Sequence, residues 1–239
     1  GEKIALIGSN GAGKSTMMKL MMGLIRPESG QVLLNGRPTA ELPKEELGRT
    51  ISMVYQNPEE MFIKDSIRKD IEYAMKVRRV EEYEKHTDEL LEMFRLTDLQ
   101  DRDGRLLSGG QMRRASLAIG IALQPEILLL DEPTANLDIA TRREIMKTLQ
   151  MLKGVTDTVV IATHDMQLVC DWAERLIVLS SGYVIADGTK EEIFADMYVR
   201  QQVGIRPPQI YDMGRALGIE NPCFTIDEFM GYFRGEKYA

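Results

Sequence analysis

Gly8-Ser9-Asn10-Gly11-Ala12-Gly13-Lys14-Ser15-Thr16 is the stretch on which the reading of this chain turns. Its spacing, GxxxxGK[ST], is that of a glycine-rich loop whose backbone N–H groups turn inward on an anion, because glycine tolerates the backbone angles such a nest requires. Lys3-Ile4-Ala5-Leu6-Ile7 before it reads as a buried parallel strand, and Met17 to Met22 after it continue as a helix. The loop therefore sits between a strand and the positive end of a helix, the setting in which nucleoside triphosphate phosphates are held. In that setting Lys14 reaches the β- and γ-phosphates and the Ser15 hydroxyl is a ligand for Mg²⁺.

Working outward, further apolar runs alternate with helical stretches: Ile51 to Tyr55, Ile127 to Leu130 and Thr158 to Ala162. The alternation predicts an α/β fold with a parallel sheet covered by helices. Ligands of such sheets bind beyond the carboxyl ends of the strands. Gly8, Gln56, Asp131 and His164 each follow a predicted strand, so four separated residues are delivered to one edge. Between Asn57 and Leu107 two helical patterns replace the strands, one through Ile67, Ile71, Ala74 and Met75 and one through Leu90, Leu91 and Phe94. This segment reads as a helical insertion. Gln31 to Asn35 reads as an antiparallel strand, and Arg175 to Ala186 as a hairpin about Ser181-Gly182. Beyond Asp196 the pattern is that of an appendage, with a break at Pro207-Pro208 and short helices at Ile210 to Leu217 and Ile226 to Phe233.

Composition narrows the class. The 239 residues carry 37 Asp and Glu against 30 Lys and Arg, a net charge of −7, which gives no support to a nucleic-acid footprint. No apolar run reaches the roughly 18 to 20 residues of a membrane span. Cys170 and Cys223 are too few and too isolated for a disulfide framework or a metal cluster and read as packing residues, in accord with a reducing compartment. His86 and His164 lack the spacing of a zinc site. The methionines between Met17 and Met112 are scattered on apolar faces as flexible core filler.

The glycine-rich loop alone leaves kinases, GTPases, helicases and transport ATPases open. Ile127-Leu128-Leu129-Leu130-Asp131-Glu132 narrows the choice, since a buried strand ending in two carboxylates is costly unless the charges face a cation or water. Asp131 is suited to hold Mg²⁺ and Glu132 to polarise an attacking water. Leu107-Ser108-Gly109-Gly110-Gln111 then opens a second helix along Ala115, Ala118, Ile119, Ala122 and Leu123. Ser108 is a good N-cap type, and the two glycines leave N–H groups open to a bulky anion. A second phosphate-binding device in a chain that already has one suggests a nucleotide gripped by two protomers.

With these segments in order, the chain resembles the nucleotide-binding subunit of ATP-binding cassette transporters over nearly everything from Gly1 to about Phe194. By that resemblance Gly8 to Thr16 is the Walker A loop, Gln56 the Q-loop glutamine, Leu107 to Gln111 the signature motif and Ile127 to Glu132 the Walker B strand. Ala135-Asn136-Leu137-Asp138 matches the D-loop and His164 the switch histidine. The resemblance implies a RecA-like P-loop NTPase core at 1–194, with the helical subdomain at about 57–107 and a small antiparallel β subdomain, followed by a C-terminal extension at 195–239. It also implies an ATPase binding ATP and Mg²⁺, two ATP molecules being sandwiched in a head-to-tail dimer between the Walker A loop of one protomer and the signature of the other. In these roles Glu132 is the general base, His164 fixes the γ-phosphate and the water, Gln56 senses Mg²⁺ and water, Ser15 and Asp131 carry the metal, and Asp138 aligns the partner's site.

Val54-Tyr55-Gln56-Asn57-Pro58-Glu59, with Val203 to Ile210 and Arg215 to Gly218, resembles the energy-coupling factor transporters that take up vitamins and transition-metal ions. The partners implied are a second ATPase subunit, identical or related, a transmembrane coupling protein and a small substrate-capturing membrane protein, at the cytoplasmic face of the cell membrane, with no nucleic acid. Met61, Phe62 and Ile63, beside Lys64, Arg68 and Lys69, read as the docking surface for coupling helices of the membrane protein, the alternative being that Phe62 and Ile63 pack inside. The alternatives are the ATPase of a binding-protein-dependent importer and a soluble cassette ATPase of DNA repair or translation. Against the latter, no sustained heptads and no long charged linker are present. Gly1-Glu2-Lys3 already enters the Walker A strand, so the antiparallel strands and adenine-stacking aromatic usual upstream are missing. The chain reads as a fragment, such as one cassette of a longer or fused polypeptide, in which Gln31 to Asn35 has lost a pairing neighbour.

Overall fold

A computed structural model of the chain describes residues 1–152 and 154–234. The elements are β1 (Lys3–Gly8), α1 (Lys14–Met21), β2 (Leu33–Leu34), β3 (Arg37–Pro38), α2 (Lys44–Thr50), β4 (Ile51–Val54), α3 (Ile67–Val77), α4 (Tyr83–Met93), α5 (Gly109–Ile121), β5 (Ile127–Asp131), α6 (Ile139–Met151), β6 (Thr158–Thr163), α7 (Met166–Trp172), β7 (Arg175–Ser180), β8 (Tyr183–Gly188), α8 (Lys190–Ala195), α9 (Met197–Val203), α10 (Gln209–Ala216) and α11 (Ile226–Arg234). The chain divides into two compact units. One is Gly1–Glu2 with Ser15–Ala162, the other Lys3–Lys14 with Thr163–Ala239.

In the first unit β4, β5 and β6 lie side by side and parallel, with Ile51 opposite Ile127 and Ile127 opposite Thr158. The middle strand is covered on both faces, which is why Leu128, Leu129 and Leu130 are completely buried and why the sequence there is apolar without alternation. Helix α5 contributes Ala115, Leu117, Ala118 and Ile121 to the same core. The predicted helical segment forms as α3 and α4, burying Ile67, Ile71 and Met75 from one and Leu90, Leu91 and Phe94 from the other side of the pair. Ser66 caps α3 by accepting from Lys69 N, and Asp70 Oδ1 accepts from Ile63 N and Lys64 N at 2.8 Å each, pinning the loop ahead of the helix to its first turn.

Two expectations are corrected here. The strand expected over Gln31 to Asn35 is only Leu33–Leu34, paired with Arg37–Pro38. Asn35 and Gly36 both take positive φ, 50° and 79°, so an Asn-Gly turn reverses the chain before a longer strand can form. Phe62, expected on a docking surface, is buried, and a Cβ on Gly104 would collide with its ring. The bare glycine is the seat of that ring. Met61 is half-buried, Ile63 remains exposed, Lys64 Nζ lies 3.9 Å from the Tyr73 ring centroid and Arg68 is paired with Glu72 and Asp88.

In the second unit β1 pairs parallel with β7, which pairs antiparallel with β8 through the Ser181-Gly182 turn. The chain then runs through α8 to α11, held by a cluster of Phe194, Tyr211 and Phe224 rings with centroids 5.4 to 6.3 Å apart. Helices α8 and α9 have no counterpart among the sequence expectations. Cys170 and Cys223 are free and buried, and burial pushes the Cys170 thiol up to about 12, the behaviour of packing residues rather than reactive thiols.

Candidate functional site

The second unit contains the glycine-rich loop up to Lys14. A side chain at Gly8 would run into the Leu179 carbonyl oxygen on the neighbouring strand β7, so only glycine lets β1 turn into the loop there. The loop is closed by Ala12 N donating to Ser9 O at 3.1 Å, and Gly182 N at the hairpin tip donates to Ala12 O at 3.0 Å. Lys14 folds back over the loop, its Nζ donating to Gly8 O at 2.8 Å and Ser9 O at 3.1 Å. The ammonium is thereby placed over two backbone carbonyls of the loop, and Lys14 as a whole is only 8% exposed. Gly11 and Gly13 hold φ of 80° and 104°, and Ser9, Asn10 and Gly11 are open to solvent. His164, directly after β6, is exposed. Its neighbour Asp165 caps α7 by accepting from Leu168 N.

The first unit begins where the loop ends. Ser15 Oγ donates to Asp131 Oδ2 at 2.8 Å across 116 positions of sequence. A hydroxyl and a carboxylate oxygen side by side are the hard, compact donors that suit Mg²⁺, which takes one or two protein ligands and completes its shell from phosphate and water. Among the described residues there is no group of three or more His, Cys, Asp or Glu able to hold a metal by themselves. Asp131 and Glu132 are both buried, and Glu132 takes φ of +46°, turning the chain out of the β5 ladder while its N–H still donates to Ala162 O at 2.9 Å. A left-handed backbone at a non-glycine residue costs about 1 to 2 kcal/mol, and such strain gathers at functional sites.

Gln56 is exposed two residues beyond β4, and Ser108 is exposed at the start of α5, where its N–H donates to Gln111 Oε1 at 3.1 Å. The two glycines that follow differ. A Cβ on Gly109 would meet nothing within 4 Å, whereas one on Gly110 would come within 2.6 Å of Thr141 Cγ2. The second glycine lets α5 lie against the first turn of α6, where Thr141 Oγ1 also donates to Asp138 Oδ2 at 2.6 Å. Asp138 caps α6 through Ala140 N and Thr141 N, and the Thr141 hydroxyl, followed by these N–H groups, holds its carboxyl below the usual range.

The first unit thus brings Ser15 to Asp131 and draws the start of α5 against Thr141, whose hydroxyl donates to Asp138. Two contributors escaped the sequence reading. Thr141 carries no motif, and its role follows only from its contact with Gly110. Arg113 reads as one more charged helical residue, yet it is buried and donates to the carbonyls of Tyr55 at 3.0 Å and Gln56 at 2.7 Å.

The chain matches the ABC transporter family over residues 1–135. It is 34% identical over 226 residues to the cobalt import ATP-binding protein CbiO of Rhodobacter capsulatus, covering 93% of this chain and 81% of that protein. To the energy-coupling factor transporter ATP-binding protein EcfA of Methanocaldococcus jannaschii it is 35% identical over 237 residues, 95% of this chain and 85% of that one. The solved structure of cbiO1 from Clostridium perfringens, part of the ABC transporter complex cbiONQ, superposes with a TM-score of 0.74 at 33% identity, covering 91% of this chain and 88% of that chain.

Proposed function

This chain belongs to the ABC transporter ATPases, and from that premise we propose that it powers an importer of the energy-coupling factor type, taking up a vitamin or a transition-metal ion. Its similarity to CbiO and EcfA over more than nine-tenths of its length supports this subgroup. The observation that carries the nucleotide chemistry is the Ser15–Asp131 hydrogen bond, which joins the end of the phosphate loop to the end of β5.

The Gly8–Thr16 loop binds the ATP phosphates through its N–H groups, and Lys14 exchanges the Gly8 and Ser9 carbonyls for phosphate oxygens. Ser15 and Asp131 would hold Mg²⁺, with Gln56 as a further contact; when bound, the ion would neutralise charge on the phosphate oxygens. Glu132 orients the attacking water and takes its proton, a role worth about 10² to 10⁴ in rate for a positioned base. His164 fixes the γ-phosphate and the water. Ser108, Gly109, Gly110 and Gln111 cover the ATP of a second cassette, identical or related, and Asp138 aligns that shared site. Ser108 and Gly109 are exposed in the single chain, which is the condition for such cover.

Residues 1–194 form the cassette and 195–239 its extension, the last five of which lie outside the described residues. Among the described residues no helix is long and apolar enough to cross a membrane. In the reading drawn from its similarity to CbiO and EcfA, the chain acts from the cytoplasmic face through a transmembrane coupling protein and a substrate-capturing membrane protein. Replacing Glu132 by Gln tests the assignment: ATP binding by calorimetry is expected to hold while turnover falls by about 100-fold or more. Wild-type turnover would remove Glu132 from the role.

A further inference from the structure

Arg113 lies on α5 five positions after Ser108 and is 3% exposed. Both ends of its guanidinium fork are spent on main-chain carbonyls, Nη1 on Tyr55 and Nη2 on Gln56, while Nε is buried and finds no hydrogen-bond partner among the described residues. Among the described residues Arg113 forms no ion pair; burial lowers its pKa, and the Asp131 carboxylate, acting through space, only partly offsets this. A buried cation held only by two peptide oxygens is a costly way to fill space, and an apolar side chain of similar length would serve packing as well or better. What the arginine adds is direction, because its planar fork fixes two carbonyls at once, where a lysine presents a single point charge on a flexible stem.

The two elements joined in this way are those that carry Gln56 and the Ser108–Gln111 turn. Arg113 also stands in the wall of a cleft of about 560 Å³ bounded by Gln56, Asn57, Met112, Ala135 and Asn136, so the joint borders open space rather than a continuous packed core. We propose that Arg113 is a positioning residue for ATP turnover, locking the Gln56 segment to α5 so that Gln56 and the Ser108–Gln111 turn move as one piece. The inference rests on the reading of Gln56 and of the α5 start given above. By that reading Gln56 meets the chain's own nucleotide and Ser108 the partner's, so the lock makes the occupancy of one ATP site felt at the other.

The test is a double-substitution cycle in the full chain, Arg113→Gln with and without Gln56→Ala, with ATP affinity, kcat, KM and thermal midpoint measured for each protein. Arg113→Gln is expected to leave ATP affinity within about twofold and to lower kcat about tenfold or more, since small displacements of a positioned group are expensive in rate. Arg113→Lys, which keeps charge and length but not the fork, is expected to recover part of the loss. In the Gln56→Ala background Arg113→Gln is expected to change kcat by less than about twofold, because the group it positions is already gone. Equal losses in both backgrounds, or Arg113→Gln and Arg113→Lys turning over at the wild-type rate with a lowered thermal midpoint, would overturn the proposal and leave Arg113 as packing. Wild-type turnover in Gln56→Ala alone would instead overturn the reading of Gln56 on which the proposal stands.

Discussion

The end of β5 and the start of α5 belong to the same unit and both carry chemistry, yet they are built on opposite principles. Asp131 and Glu132 are buried, and Asp131 is tied to Ser15. Ser108 and Gly109 are exposed, with open space beside Gly109. Buried charge is tolerable only where partners are already fixed, so the β5 end has to be assembled within one chain. A glycine-rich helix start costs little in water, so it can wait for whatever covers it. Between the two stands Arg113, buried like the first and attached to the helix of the second.

If that contrast is right, substitutions on the phosphate-loop side act on one chain's nucleotide binding, and substitutions on the α5 side act on turnover. The largest effect on affinity is expected for Lys14→Ala, which removes charge-assisted donors worth about 1.5 to 3 kcal/mol and should weaken ATP binding by roughly 10- to 100-fold in equilibrium titration. Unchanged affinity would break the comparison at its first half. The second half is sharpened by the paired glycines. Gly110→Ala forces a Cβ to within 2.6 Å of Thr141 Cγ2 and should cost about 1 to 3 kcal/mol of stability, a drop of several degrees in thermal midpoint. Gly109→Ala meets nothing and should leave the midpoint unchanged to within about 2 °C while lowering ATP turnover. A stability loss at Gly109 equal to that at Gly110 would show that the first glycine is structural as well.

Much of this was legible in the sequence because the deciding signals are local. The runs Lys3 to Ile7, Ile51 to Tyr55, Ile127 to Leu130 and Thr158 to Ala162 form strands within a residue or so of their expected ends. The helical patterns of 57–107 and the Ser181-Gly182 hairpin form as read. What was not legible depends on partners distant in sequence. Phe62 could pack or project, and the outcome rests on Gly104, 42 positions on. Gly110 reads as an anion contact until Thr141 is seen beside it. Arg113 gave no signal, because a lone arginine on a helix is ordinarily solvated and only the fold brings the Tyr55 and Gln56 carbonyls to it. The short β2 strand is a different case, since Asn35-Gly36 is itself a turn signal that cuts the longer strand short.

The central claim is that the exposed start of α5 is completed by a second cassette. It is tested most directly by the mass of the ATP-bound Glu132→Gln protein in solution, measured by light scattering with and without Mg²⁺ and ATP. The account predicts particles of two cassettes that form on adding ATP and fall apart when it is withdrawn. A particle with a single cassette, saturated with ATP and showing no tendency to pair, while the wild-type protein turns ATP over at a rate per chain independent of its concentration, would contradict it.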